Sequence, residues 1–155
     1  MDVTGERWDG TTLLEDLPGD LPEDVAVVAR GLTVIGLRPG GRVLIMLAGH
    51  PEYRLIDVAT VHVGATPVPV RTTLGAEALR RLARHSAAQL LVLAGPADLA
   101  RWRPILPDLP SLRRVVLVDD PAPDELSLAT VSLAQVRSAG MLACRAEPGR
   151  RRSPV

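Results

Sequence analysis

Residues 36–47 read Gly-Leu-Arg-Pro-Gly-Gly-Arg-Val-Leu-Ile-Met-Leu, and the fold class follows from this stretch. Its first half contains Arg38-Pro39-Gly40-Gly41, a strong turn signal, because Pro fixes φ and the next Gly tolerates positive φ. Its second half, residues 43–47, is apolar without alternation. An uninterrupted run of this kind is typical of a strand that is buried on both faces, as in a parallel sheet.

Helical and strand patterns alternate along the chain on both sides of this stretch. Helices are predicted over residues 22–35, 51–63, 75–84 and 96–103, and strands over residues 43–47, 66–70, 90–93 and 115–118. Pro67 and Pro69 place the second strand at an edge or at a strand end, since Pro cannot donate to a ladder. Short connections between alternating elements predict an α/β fold, a mostly parallel sheet of about four strands flanked by helices, with right-handed crossovers.

Composition divides the chain into four segments. Residues 1–21 are polar and form a predicted N-terminal arm, and residues 22–125 hold the α/β domain. The pattern then loosens, so residues 126–144 are predicted to be a loosely attached helical segment, with apolar positions that suit a helix near 132–143. Residues 145–155 are rich in Pro, Gly, Ser and Arg and are predicted to be a disordered tail.

Charge and composition exclude several classes of function. The 155 residues carry 18 basic and 18 acidic side chains, so the net charge is zero and nucleic acid is not expected as a partner. The longest apolar runs fall far short of the ~20 residues that span a bilayer. The first six residues are acidic rather than basic, unlike a signal peptide, and the single Cys144 fits a reducing cytoplasm. A cytoplasmic location is therefore predicted.

The histidines show no pattern of a metal or nucleophile site. His50, His62 and His85 are isolated, without a ligand spacing such as HxxxH and without Cys nearby in sequence. His85 and Ser86 are adjacent, but neighbours in sequence do not make a catalytic dyad. No residue is assigned to a metal on this basis.

Two other polar segments are weighed against simple structural roles. Asp119-Asp120 follows a predicted strand, at the end where α/β sheets often place functional groups, but a polar exit loop before Pro121 is the favoured interpretation. Arg150, Arg151 and Arg152 are interpreted as part of a solvated tail rather than a binding patch. Neither GxGxxG nor GxxxxGK[ST] occurs, which argues against a dinucleotide site or a P-loop.

Four segments, in order, resemble the adenylate-forming (AMP-binding) enzymes, especially the fatty-acid–CoA ligases. Residues 36–47 resemble the family's Leu-x-Pro-Gly-Asp turn and the strand after it, and residues 50–53 are similar to its Asn-x-Pro-Glu-aromatic segment. Residues 63–70 resemble its Gly-Ala-x-Pro-Val-Pro strand, and residues 109–116 its Leu-Pro-x-Leu-x-x-Val-Val segment. The resemblance spans residues 22–140 and implies the first part of the family's large N-terminal domain.

The resemblance also implies a chemistry that this chain lacks the residues to perform. The family uses ATP and Mg²⁺ to join a carboxylate to AMP and then passes the acyl group to a thiol, usually that of coenzyme A. This chemistry uses a Ser/Thr/Gly loop that ends in Pro-Lys-Gly and a second, C-terminal Lys. The chain contains no Lys and no such loop. We therefore assign no catalytic, cofactor-binding or metal residue, and expect no cofactor for this chain alone.

Three interpretations of the chain remain open at this point. The first is a truncated acyl-CoA synthetase fragment without independent catalysis, that is, a pseudoenzyme. The second is an interaction or oligomerisation module that associates through exposed apolar surface. The third is one half of a split acyl-CoA ligase that a separately encoded chain completes.

Overall fold

Parallel strands run through the middle of the protein, as the apolar stretch 43–47 predicts. The structure, a computed structural model, describes residues 21–119, 121, 124, 126–127 and 129–146. The predicted arm, apart from Leu21, lies outside these residues, and so does the predicted tail beyond Ala146.

Helices and strands alternate along the described residues. The helices are α1 (Leu21–Val34), α2 (Tyr53–Val63), α3 (Ala76–Ser86), α4 (Pro96–Trp102) and α5 (Leu133–Ala146), with a 3₁₀ turn at Leu106–Asp108. The strands are β1 (Arg42–Met46), β2 (Thr66–Pro69), β3 (Leu90–Leu93), β4 (Arg114–Leu117) and β5 (Thr130–Ser132).

The five strands form one sheet in the order β2-β1-β3-β4-β5, and every pair is parallel. The predicted α/β class is confirmed, as is the edge position of β2. The prediction of about four strands missed β5. That strand is only the three residues Thr-Val-Ser, and its position depends on pairing with β4 rather than on an apolar run of its own.

Side chains of β1 alternate between two helical layers. Val43 and Ile45 pack in the core beneath α1, α2 and α5, whereas Leu44 and Met46 pack in the core beneath α3 and α4. All four are fully buried or nearly so. This two-sided burial explains why the sequence of β1 shows no polar alternation.

The turn before β1 has the geometry that its sequence predicts. The Gly41 N–H donates to the Arg38 carbonyl at 2.9 Å, and Gly40 has φ of 84°, so the turn has positive φ at its third residue. The Arg38 N–H donates to the Gln89 side-chain oxygen at 3.0 Å. Gln89 directly precedes β3, so the turn is fixed to the amino end of the neighbouring strand.

The open edge of β2 lacks N–H donors at two successive outward positions. The N–H groups of Thr66 and Val70 both point to the β1 side, donating to Gly41 and Ile45 carbonyls at 2.9 Å. The alternate residues of β2, between these positions, therefore direct their backbone nitrogens away from β1. Those residues are Pro67 and Pro69, which have no N–H to offer.

Helix α5 packs closely against α1. A Cβ placed on Gly31 would lie 2.0 Å from the Val136 carbonyl oxygen, and one placed on Gly140 would lie 1.9 Å from the Val27 carbonyl oxygen. The backbones approach so closely because these glycines have no side chains. The sequence predicted a loosely attached segment over 126–144, but its helix is in intimate contact with α1. Glycines carry no hydrophobic signal, so the sequence pattern gives no sign of this contact.

Among the residues that the structure describes, no helix is both long enough and apolar enough to cross a membrane.

We predict that Gly31→Ala and Gly140→Ala each destabilise the protein by about 2–3 kcal/mol, because a methyl group at either position overlaps a backbone carbonyl. Chemical denaturation monitored by far-UV circular dichroism measures this. Gly95→Ala is the matched control, since a Cβ there meets nothing within 4 Å. Equal effects at all three positions would contradict the close packing.

Candidate functional site

The carboxyl ends of the strands surround a small cavity. Its volume is about 260 Å³. The lining comes from the last residue of β1, from the connections after β1, β2 and β3 and from the first turn of α4, and comprises Met46, Leu47, Ala48, Gly49, His50, Pro51, Thr72, Ala94 and Asp98. The cavity therefore lies at the carboxyl ends of the strands.

The cavity lies at the topological switch point of the sheet. From β1 the chain passes through α2 on one face, and from β3 it passes through α4 on the other face. Because the two connections diverge, a crevice opens between the ends of these adjacent strands. In open α/β sheets with this strand order, ligands bind in this crevice.

A hydrogen bond to Asp119 fixes His50, which lines the crevice. His50 Nε2 lies 2.8 Å from Asp119 Oδ1, and the backbone N–H of Glu52 donates to His50 Nδ1 at 3.0 Å. Since Nδ1 accepts a hydrogen bond, the neutral ring carries its proton on Nε2 and donates it to the carboxylate. Both ring nitrogens are thereby occupied, so His50 is a structural bridge and not a free base.

This bridge crosses the end of β3. The backbone N–H of Asp119 donates to the Ala94 carbonyl at 2.8 Å, which continues the pairing of β4 with β3 beyond the strands. Neighbouring strands lie about 4.8 Å apart, so β1 and β4 are separated by roughly 9–10 Å. The His50 and Asp119 side chains together span that gap above Ala94.

A second set of hydrogen bonds fixes the wall formed after β2. Arg101 of α4 donates from Nη1 to the Thr72 carbonyl at 2.9 Å and from Nη2 to the Leu74 carbonyl at 2.6 Å. The guanidinium therefore joins the β2–α3 connection to α4. Thr72 is held where it lines the cavity, opposite the β1–α2 loop.

The structure joins two residues that the sequence analysis treated separately. Asp119 does lie at the carboxyl end of a strand, and its partner is His50, 69 residues away. The sequence pattern could have indicated this proximity, because both residues follow strands of a parallel sheet and the carboxyl ends of those strands lie on the same side. Thr72 and Asp98 carry no such signal and were not predicted.

The remaining candidates do not converge on this site. His62 is exposed on α2, and His85 donates through Nδ1 to the Arg81 carbonyl at 2.8 Å on α3. Cys144 is a half-buried free thiol on α5. Asp120 and Arg150–Arg152 lie outside the described residues. Across the part of the chain that the structure covers, no three His, Cys, Asp or Glu residues form a group suited to a metal ion.

A buried carboxyl group lies outside the crevice, on α2. Burial raises the pKa of Asp57 to about 6, and the positive charge of Arg54 opposes that shift without cancelling it. Burial, and secondarily the Asp57 charge, also raises the pKa of Tyr53. Asp57 therefore destabilises the folded state once it ionises.

Comparisons with known proteins agree on one family. The family described as "AMP-binding enzyme" matches residues 19–153. The long-chain-fatty-acid–CoA ligase FadD15 of Mycobacterium bovis is 29% identical over 119 residues, which cover 77% of this chain and 20% of that protein. The salicyl-AMP ligase/salicyl-S-ArCP synthetase of Mycobacterium tuberculosis is 32% identical over 125 residues, covering 78% of this chain and 22% of that protein.

A solved structure supports the fold. The coronafacic acid ligase from Pectobacterium brasiliense superposes with a TM-score of 0.67 at 19% identity, covering 76% of this chain and 23% of that one. The chain thus spans about a fifth of the length of the curated relatives described here.

We predict that His50→Ala lowers the free energy of unfolding by about 1–2 kcal/mol, because it leaves the Glu52 N–H without its acceptor and the Asp119 carboxylate without its donor. Thermal and denaturant unfolding at neutral pH measure this. His62→Ala, at an exposed position on α2, is the control and should change stability by less than about 0.5 kcal/mol. A double-mutant cycle with Asp119→Ala should show coupling; strict additivity would contradict the bridge.

We predict that Asp57→Asn stabilises the protein at pH 8 by about 1–2 kcal/mol, a value reduced from the full pKa shift to allow for solvent screening. The pKa of Asp57 is about 6 in the folded protein and 3.8 for an ordinary Asp side chain, so the wild type loses stability as pH rises through that interval. The advantage of the variant should vanish near pH 3, below both values. Denaturant unfolding at a series of pH values measures the difference.

Glu77→Gln is the control for Asp57→Asn. Glu77 is exposed in the first turn of α3, where a negative charge is favourable, so its loss should lower stability at pH 8 by about 0.3–1 kcal/mol. The two variants should therefore have effects of opposite sign. An Asp57→Asn variant that is destabilised at pH 8 would contradict the pKa assignment.

Proposed function

This chain belongs to the AMP-binding enzyme family, and we propose that it supplies the first α/β unit of an acid-activating ligase without catalysing adenylation alone. Family membership rests on the match over residues 19–153, and the fold on the parallel sheet and its ligase neighbours. The described residues form a structural scaffold, which consists of two helical layers and the sheet between them.

The observation that carries this proposal is the complete absence of Lys from the 155 residues. Acyl adenylation places negative charge on phosphorus and on the departing pyrophosphate, and this charge must be balanced. The family resemblance implies two lysines for that chemistry. The 18 Arg residues are no direct substitute, because none belongs to a Ser/Thr/Gly loop of the family's kind.

The substrate class that we propose for the ligase is a carboxylic acid, without a choice between fatty and aromatic acids. A relative named for long-chain fatty acids and a relative named for salicylate match at 29% and 32% identity. The two relatives differ in their acids but share this part of the fold. The segment therefore fits a scaffold common to both and does not distinguish between acids.

A second candidate is an interaction or oligomerisation module, favoured by exposed apolar side chains on α5. Leu142 is 64% exposed and Met141 is 48% exposed, next to one another on the helix that follows edge strand β5. Exposed apolar groups favour association, and so does the outer edge of β5, which pairs with no strand among the described residues. The associating partner is either a second copy or a separately encoded chain that carries the missing lysines, as in a split ligase. Either role is proposed for the cytoplasm, which the single free thiol suits.

We predict that the purified chain releases no pyrophosphate above background with ATP, Mg²⁺ and either palmitate or salicylate, since it lacks the lysines that adenylation uses. Coupled pyrophosphate release measures this, with a full-length fatty-acid–CoA ligase as the positive control. Sustained turnover by the chain alone would overturn the scaffold proposal.

Light scattering on the same sample separates the two candidates. A concentration-independent monomer agrees with a scaffold that does not associate by itself. A dimer that Leu142→Arg dissociates, while exposed Ala100→Arg on α4 does not, would favour the interaction module instead.

A further inference from the structure

We propose that the crevice between the ends of β1 and β3 binds a small organic ammonium ion with an apolar body, with Asp98 as its counter-charge. This site is independent of the adenylation chemistry considered above. It rests on an open cavity, on its one carboxylate and on the two hydrogen-bonded segments that flank it.

The charge comes from Asp98 in the first turn of α4. Its side chain lines the cavity and is half-buried, and within the described part of the chain no hydrogen bond or ion pair reaches its carboxylate. The carboxylate therefore has no competing partner among the described residues, and a cationic ligand can form a charge-assisted hydrogen bond with it.

Nearby positive side chains do not satisfy this carboxylate. Arg101 lies one turn further along α4, but its terminal nitrogens donate to the Thr72 and Leu74 carbonyls. His50 uses both ring nitrogens, one toward Glu52 and one toward Asp119. Among the described residues neither side chain forms an ion pair with Asp98, so a ligand in the cavity meets a carboxylate that is free to pair with a cation.

The remaining lining sets the size and polarity of the ligand. Ala48, Pro51 and Ala94 present apolar surface, and the Thr72 side chain adds a hydroxyl that makes no hydrogen bond within the residues described. The cavity, about 260 Å³, is smaller than the ~300–1,000 Å³ of drug-sized sites. An ammonium group on a single ring or a short aliphatic chain fits these constraints.

A metal ion fits the same lining poorly. Asp98 contributes one carboxylate, and across the described residues no group of three His, Cys, Asp or Glu is placed to share an ion. Hard cations such as Mg²⁺ and Ca²⁺ are usually held by several oxygen ligands. The apolar walls also favour an organic body over a hydrated ion.

The test uses benzylammonium as the probe, with benzyl alcohol and benzoate as neutral and anionic counterparts of similar size. Two-dimensional NMR on the ¹⁵N-labelled full chain follows the amide signals of Gly49, Ala94 and Asp98 during titration. We expect saturable shifts at these amides with benzylammonium, with a Kd on the order of 1 mM, and at least tenfold weaker binding of both counterparts. No ATP is present, so the result is independent of the adenylation assay.

Two variants identify the counter-charge. Asp98→Asn should weaken benzylammonium binding at least tenfold, whereas Glu77→Gln, which removes an exposed acid from the first turn of the neighbouring helix α3, should leave it unchanged. If Asp98→Asn does not fold, the order of the three probes on the wild-type chain decides the question. Absence of shifts at these amides, stronger binding of benzoate, or equal binding by Asp98→Asn and wild type would overturn the proposal.

Discussion

Burial of β1 on both faces is the constraint on which the rest of the structure depends. Each of the four residues Val43–Met46 faces one of two helical layers, so these positions exclude polar side chains. Val43 and Ile45 require the layer of α1, α2 and α5, and Leu44 and Met46 require the layer of α3 and α4. The parallel pairing of the strands agrees with this burial, because the crossover connections of a parallel sheet place helices on both faces. The crevice is a product of the same arrangement, since the chain must leave neighbouring strands toward opposite faces.

The elements with strong local patterns could be predicted from sequence. The apolar run of β1, the prolines of β2 and the apolar run of β3 each indicated the right element, and their alternation with helices indicated a parallel sheet. β5 could not be recognised in this way, because Thr-Val-Ser becomes a strand only through its pairing with β4. The close packing of α5 against α1 could not be recognised from the sequence for a related reason. Gly31 and Gly140 allow this packing because they have no Cβ atom, and a hydrophobic pattern does not show where a missing Cβ allows two helices to approach.

The location of the candidate site could be predicted from the sequence, but the residues that form it could not. A parallel sheet gathers the ends of its strands at one edge, so the positions of His50 and Asp119 near that edge followed from topology. Their hydrogen bond did not follow, because it depends on side-chain reach across the end of β3. Asp98 and Thr72 are ordinary polar residues of a helix start and a loop in the sequence. Their relevance comes from a cavity that exists only after the β2 and β3 connections have folded beside one another.

The two prolines of β2 have a consequence for how sheets of this chain can be joined. At Pro67 and Pro69 the outer edge of β2 offers no N–H donor, so a further strand cannot complete a ladder there. The opposite edge, β5, carries no such block among its three residues. A fibre that grows by strand addition needs two competent edges on every unit, and among the described residues only β5 offers one. Strand addition at β5 would therefore join no more than two copies of this sheet, with a proline-lined edge on either side.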